Sequence, residues 1–304
     1  MEVAMNAGVR GAKLQLILSM IVFGTIGIFV RFIPYSSGII AMTRGIVGAL
    51  FLLVVILCQG RRLDMQAIKK NLLILIITGA CIGINWILLF ESYRYTTVAT
   101  ATLCYYLAPV FVIIASPIVF KEKLTPVKSG AVILSLCGMV LVSGFYKGVG
   151  SASPDVSNNT LGVSLGIGAA LFYALVIILS KKISDIDPFD QTAVQIFTAG
   201  FVLIPYNLAT GAFDEVDALT DSRVVILLVI VSIVHTGITY ALYFASMQKL
   251  SAQTIAIFSY IDPVVAILVS TFILRENMDM LGVMGAVLIL GSTLMTELRN
   301  NEQA

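Results

Sequence analysis

A chain of 304 residues that is 59% hydrophobic and only 12% charged, with a mean hydropathy of +0.99, has too little polar surface to cover a soluble fold of its size. The net charge of +2 offers no basic excess for a nucleic-acid partner. No GxxxxGKS/T phosphate loop and no HExxH-type motif occurs, which sets aside ATP-driven transport and zinc hydrolysis for this chain. What remains is an all-α polytopic membrane protein.

A helix needs about 20 apolar residues to cross a bilayer core of ~30 Å, and ten such stretches are predicted. The first, 14–33, follows Arg10 and Lys13, but it has the length of a full span and no small-residue cleavage site, so it reads as a retained helix. It carries the pair Phe23-Gly24. The second, 38–59, holds Arg44, the one basic residue well inside a span and a candidate charge partner for a carboxylate, a helix carbonyl or a Glu. The third, 71–91, contains Asn85 and Trp86. The fourth, 96–120, includes CYYLAPVFVIIAS at 104–116, with Tyr105, Tyr106 and Pro109. The fifth spans 125–146.

Beyond the linker-like GVGSASPDVSNN at 148–159, the sixth stretch, 160–180, contributes Tyr173, and the seventh is 189–211. The acidic DEVDALTD at 214–221 precedes the eighth, 223–247, with His235, Thr239 and Tyr240. The ninth, 250–274, contains FSYIDPVVAILVS at 258–270, where Ser259, Tyr260, Asp262 and Pro263 interrupt an apolar run; the tenth is 278–298. Cys58, Cys81, Cys104 and Cys137 all lie in these spans without metal-ligand spacing, so they read as small buried hydrophobes that form no disulfide.

Loops rich in Lys and Arg stay cytoplasmic. With the N-terminus inside, thirteen basic residues fall on the inner side and five, Arg31, Arg94, Lys147, Arg223 and Arg275, on the outer. Both termini are therefore expected in the cytoplasm, with the protein multi-pass in the cell (inner or plasma) membrane.

Shifting the chain by 154 residues lays 83–122 on 237–276. Gly83/Gly237, Ser92/Ser246, Tyr106/Tyr260, Pro109/Pro263, Ser116/Ser270 and Glu122/Glu276 coincide, which hydrophobic bias alone does not explain. Residues 1–147 form a first five-helix repeat, 148–159 an external linker and 160–304 a second repeat. Five is odd, so the second copy enters the membrane inverted, an arrangement usual in secondary transporters.

Features present in both copies suit the scaffold, and features in one copy are freer to serve a ligand. Pro109 and Pro263 each free the carbonyl four residues earlier, Tyr105 or Ser259, and mark a helix break that serves gating. Glu122 and Glu276 read as pairing or capping groups. Asp262 has only Ala108 as counterpart and lies on a stripe with Ala252, Ala256, Ser259, Ala266 and Ser270, which turns it inward. An ionisable group inside a span costs at least about 2.5 kcal/mol and is a functional candidate by default. The alternative is an acid that fills the gap at Pro263. His235, opposite Cys81, suits a proton relay or a neutral hydrogen-bonding role. Trp86 and Tyr240 are matched positions, as are Asn85 and Thr239, and with Tyr105, Tyr106, Tyr173 and Tyr260 they offer either a cage for an amine or ordinary packing.

The ten spans in two repeats, Phe23-Gly24, Arg44, YYLAP…KEK, SYIDP…REN and GITYALYFASMQKL resemble the EamA-type branch of the drug/metabolite transporter superfamily. The resemblance implies transport of a small organic solute such as an amino acid, an amine or a related metabolite, in a cavity ringed by spans one, three, four, six, eight and nine. The expected function is alternating-access transport without a cofactor, with a proton as candidate coupling ion and a second copy of the chain as a candidate partner. A membrane-embedded enzyme would need a nucleophile–base or metal set that is not visible, and a channel would favour an unbroken polar pore.

Overall fold

A computed structural model describes residues 2–119, 125–143, 154–214, 221–247, 249–250, 258–259 and 261–301, and every regular element among them is helical. Helix α1 is Glu2–Phe32, ending before Pro34. Helix α2, Ser37–Cys58, starts where Ser36 accepts from Ile39 N. Helix α3, Met65–Tyr95, starts at Asp64, whose carboxylate accepts from the amides of Gln66 and Ala67, supplying partners for N–H groups that a helix start leaves unpaired. Helix α4, Val98–Tyr105, is capped by Thr97, and α5 is Ala108–Val119. The two are one predicted span, parted by a turn at Tyr106 and Leu107 just before Pro109.

Helix α6 is Pro126–Ser143 and α7 is Pro154–Ser180. Helix α8, Pro188–Ala209, has proline in its first turn behind an Asp187 cap, where the missing N–H costs nothing. The next span is compound: α9, Ser222–Val229, runs into a π-helical segment, Ile230–Ile238, and then α10, Thr239–Met247. Helix α11 is Ile261–Phe272 and α12 is Met280–Asn301.

The spans fall short of ten full-length helices. Among the described residues seven helices are long and apolar enough to cross a membrane, and Ser129–Val142, Ile261–Phe272 and Met280–Ser292 are shorter apolar helices at the positions expected of spans five, nine and ten. The outward faces of long and short helices alike carry exposed apolar side chains such as Leu73, Ile118, Phe272 and Val287, which suits lipid and not water. The cysteine reading needs correction: Cys104 alone is buried, whereas Cys58 and Cys137 are exposed, because they sit on the outer side of their helices. The external linker needs correction as well: 148–153 lie outside the described residues, but 154–159 already belong to α7, where Asn159 Oδ1 accepts from Thr96 Oγ1 at 2.6 Å; Glu122, Ala252, Ala256 and Tyr260 lie outside the described residues.

Packing is pairwise. Helix α2 lies on α8, α6 on α12, and α4 on α11; α3 packs on α7 and α8, while α1 packs on α10 and α11 and α2 on the π-helical segment. Helices α2 and α8 cross at Gly45 and Gly200: a Cβ on Gly45 would come within 2.6 Å of the Gly200 amide, and one on Gly200 within 2.7 Å of the Ile46 amide. At the ends facing α8, Lys70 on α3 bonds Asp185 at 2.6 Å and holds that exposed carboxyl below its ordinary range.

Candidate functional site

A cavity of ≈ 430 Å³ opens where α1, α3, α4, α7, α10 and α11 meet, with Arg44 reaching in from α2. Asn85, Trp86, Tyr105, Tyr106, Pro109, Tyr173, Tyr240, Ser259 and Asp262 all line it, as does Arg44. His235, Thr239 and Pro263 do not. Tyr260 falls outside the described residues.

Asp262 stands in the first turn of α11, next to Pro263. The Tyr106 hydroxyl approaches its Oδ2 at 2.9 Å and the Ser259 carbonyl at 3.2 Å. Pro263 has no N–H to give that carbonyl, and a phenol from the first half donates to it. Helix α1 closes on the same point: a Cβ at Gly24 would lie 2.5 Å from the Asp262 carbonyl oxygen and 2.7 Å from Val265 Cβ. Only glycine permits this approach.

Arg44 is buried. Its Nε donates to Thr236 Oγ1 at 2.7 Å, and its guanidinium lies 4.3 Å from the Trp86 ring centroid and 5.6 Å from that of Phe90. Thr236 belongs to the π-helical segment, where its hydroxyl donates five residues back to Val231 O. The rest of the wall is aromatic. Phe23 meets Tyr240 edge-on at 5.3 Å and Tyr243 at 6.3 Å, and Tyr105 lies 5.2 Å from Tyr173. Asn85 donates to Ala169 O at 2.6 Å, joining α3 to α7.

His235 and Thr239 are instead committed to helix packing. The His235 ring lies 3.1 Å from Thr25 Oγ1 through Nε2 and 3.4 Å from Ile230 O through Nδ1, and it meets Phe29 edge-on. Thr239 donates to Val234 O at 2.6 Å. Sequence reasoning overlooked Phe90, Tyr93, Tyr243 and Ile177 on the wall. They follow Trp86, Tyr240 and Tyr173 at spacings of three, four or seven, so a helical projection from each chosen aromatic would have found them.

One end of the cavity bundle is tied together by Glu276. Its Oε1 pairs with Arg31 at the end of α1, while its Oε2 accepts from Val98 N at the start of α4 (2.9 Å) and from Ser270 Oγ on α11. Arg31 also donates to the carbonyl of Tyr93 on α3. Glu276 thus pairs and caps at once.

The profile of the EamA-like transporter family matches residues 11–144 and 160–298. This chain belongs to the EamA-like transporter family. Uncharacterized transporter YxxF of Bacillus subtilis (strain 168) is 31% identical over 293 residues, covering 96% of this chain and 91% of that protein. An uncharacterized transporter of Archaeoglobus fulgidus is 26% identical over 286 residues, covering 94% and 96%. A protein of known crystal structure superposes with a TM-score of 0.63 at 15% identity, covering 95% of this chain and 98% of that one; at that identity the likeness concerns the fold. Membership makes this EamA-like protein a multi-pass membrane transporter.

Proposed function

We propose that this EamA-like protein is a secondary transporter that carries a small organic solute, an amino acid, an amine or a related metabolite, by alternating access between two inverted five-helix repeats. The observation that carries the reading is the meeting of the proline motifs of both halves at one cavity. Pro109 and Asp262 both line it, each in the first turn of its helix, and α5 follows a turn at Tyr106 and Leu107. Such junctions let half-helices tilt without opening a continuous pore. The pairing of the helices supports the repeat. Exchanging the first five spans for the second five turns α3 on α7 into α10 on α1, and α4 on α7 into α11 on α1, and it leaves α2 on α8 and α6 on α12 unchanged. The family match in two blocks agrees with it.

The partners of Asp262 support proton coupling. A phenol has one hydrogen to give, yet Tyr106 faces two acceptors. A protonated Asp262 donates to Tyr106, which is then free to satisfy the Ser259 carbonyl; an ionised Asp262 competes for that same hydrogen. Gain or loss of a proton therefore changes the bonding at the helix break.

The test is counterflow in sealed proteoliposomes without ATP. Labelled substrate should accumulate transiently and saturably against its unlabelled form. Pro109→Ala and Pro263→Ala should insert and fold but turn over several-fold more slowly. Flux that rises linearly with concentration, without counterflow, would make the protein a channel.

A further inference from the structure

Four helices of the cavity wall converge just beyond it, and a single carboxylate holds them. Toward that end the last lining residues are Ile26 on α1, Tyr93 on α3, Ala266 on α11 and, nearest the start of α4, Thr102. Arg31, Ser270 and Val98 lie about one helical turn further out on α1, α11 and α4, and Glu276, just past the end of α11, reaches all three. Its Oε1 pairs with Arg31, and its Oε2 accepts from Ser270 Oγ and, at 2.9 Å, from Val98 N. Arg31 carries the tie on to the end of α3 through the carbonyls of Tyr93 and Thr96. Among the described residues the other ion pairs, Arg61 with Asp187 and Asp190, Lys70 with Asp185 and Arg94 with Glu91, involve none of α1, α4 or α11.

Between the carboxylate and the cavity the helices leave no passage. A Cβ on Gly27 would run into the side chain of Val98, so α1 and α4 are in direct contact there, and Val30, Val98 and Val269, one on each of the three converging helices, are buried. The polar tie is placed to be broken and remade. The Arg31 side chain is 31% exposed and that of Glu276 12%, so the pair stands at the edge of the protein, where water replaces each bond as the helices part; a fully buried pair would lose far more on separation. Val98 N is one of the amides that a helix start leaves unpaired, and a carboxylate there is favoured by the helix dipole. Glu276 therefore has its full set of partners only while α1 and α4 both lie against α11.

We propose that Glu276 is the latch of the cavity's mouth at this end: its bonds to Arg31 and Val98 hold α1 and α4 against α11 while the site faces the other side of the membrane, and they part in each transport cycle. The proposal rests on the alternating-access reading and names the residues that close one side of the site. Glu276 acts by holding helices together and touches no solute.

The test needs no knowledge of the solute. In a full-length variant lacking the native cysteines, Thr102→Cys puts a thiol on the cavity wall one turn inside the latch. Intact cells and inside-out vesicles are treated with a membrane-impermeant methanethiosulfonate, so that each face is probed in turn, and the reactive face of Asn277→Cys marks the latch side. Glu276→Gln should speed the reaction of the Thr102→Cys thiol from the latch side by about threefold or more and slow it from the opposite side, because weakening one mouth draws population away from the state open at the other. Arg31→Gln should act in the same way, and Arg31→Lys, which keeps the charge facing Glu276, should fall between it and the parent. If Glu276→Gln does not fold, the two Arg31 variants decide. Acceleration from both sides is general loosening and would overturn the latch, as would unchanged rates. Acceleration from the latch side with no slowing at the other would keep Glu276 as a seal and overturn alternating access instead.

Discussion

Asp262 and Tyr106 form the contact on which the proposed proton coupling turns, and neither is intelligible alone. The acid was legible in the sequence because it breaks the internal symmetry with Ala108, and because Ser259, Asp262 and Ala266 fall on one helical stripe; all three line the cavity. Its partner was not legible. Tyr106 is 156 residues away in sequence, and periodicity within one helix says nothing about which phenol faces it. His235 shows the converse: unpaired in the repeat and titratable, it still lies off the cavity, bound to Thr25 and Ile230. Asp262→Asn keeps the shape and a hydrogen-bonding group but does not titrate, so accumulation driven by a pH gradient should vanish in proteoliposomes while substrate-for-substrate exchange persists. Unimpaired gradient-driven accumulation would reduce Asp262 to a filler of the gap at Pro263.

The broken helices belong to the scale of elements. Proline at 109 was enough to predict an interruption, and the chain does turn at Tyr106 and Leu107. The π-helical segment had no such marker. Its residues, IVSIVHTGI, have an ordinary helical pattern, and what sets them apart is tertiary: Thr236 meets Arg44 and His235 meets α1, contacts that suit a locally widened turn. Glu276 was read as a capping or pairing group, and it joins the ends of α1, α4 and α11. Removing its charge weakens the tie to Arg31 and to the first amide of α4. Glu276→Gln should therefore fold but loosen that end of the bundle, so that a cysteine placed at Thr97 reacts with a polar thiol reagent at least several-fold faster than in the parent protein. An unchanged rate would make the cluster static.

At the scale of the whole molecule the open quantity is orientation, which rests on the thirteen-to-five basic bias. In a variant lacking the native cysteines, Asn277→Cys should react with an impermeant thiol reagent from outside intact cells and Gln66→Cys should not; the reverse pattern inverts the topology. Membrane residence and the self-similarity of 83–122 and 237–276 were legible in sequence alone, since the bilayer is a one-dimensional filter that reads apolar length and likeness within a chain reads directly. Arg44 was visible, but its stacking on Trp86 and its bond to Thr236 were not. Which phenol meets Asp262, which rings stack on Arg44 and whether His235 reaches the cavity were decided by tertiary structure. Those contacts join residues on different helices, and the rotation of each helix about its axis is set by close packing at points such as Gly24 and the Gly45–Gly200 crossing, where a few tenths of an ångström in the neighbouring helix determine what fits.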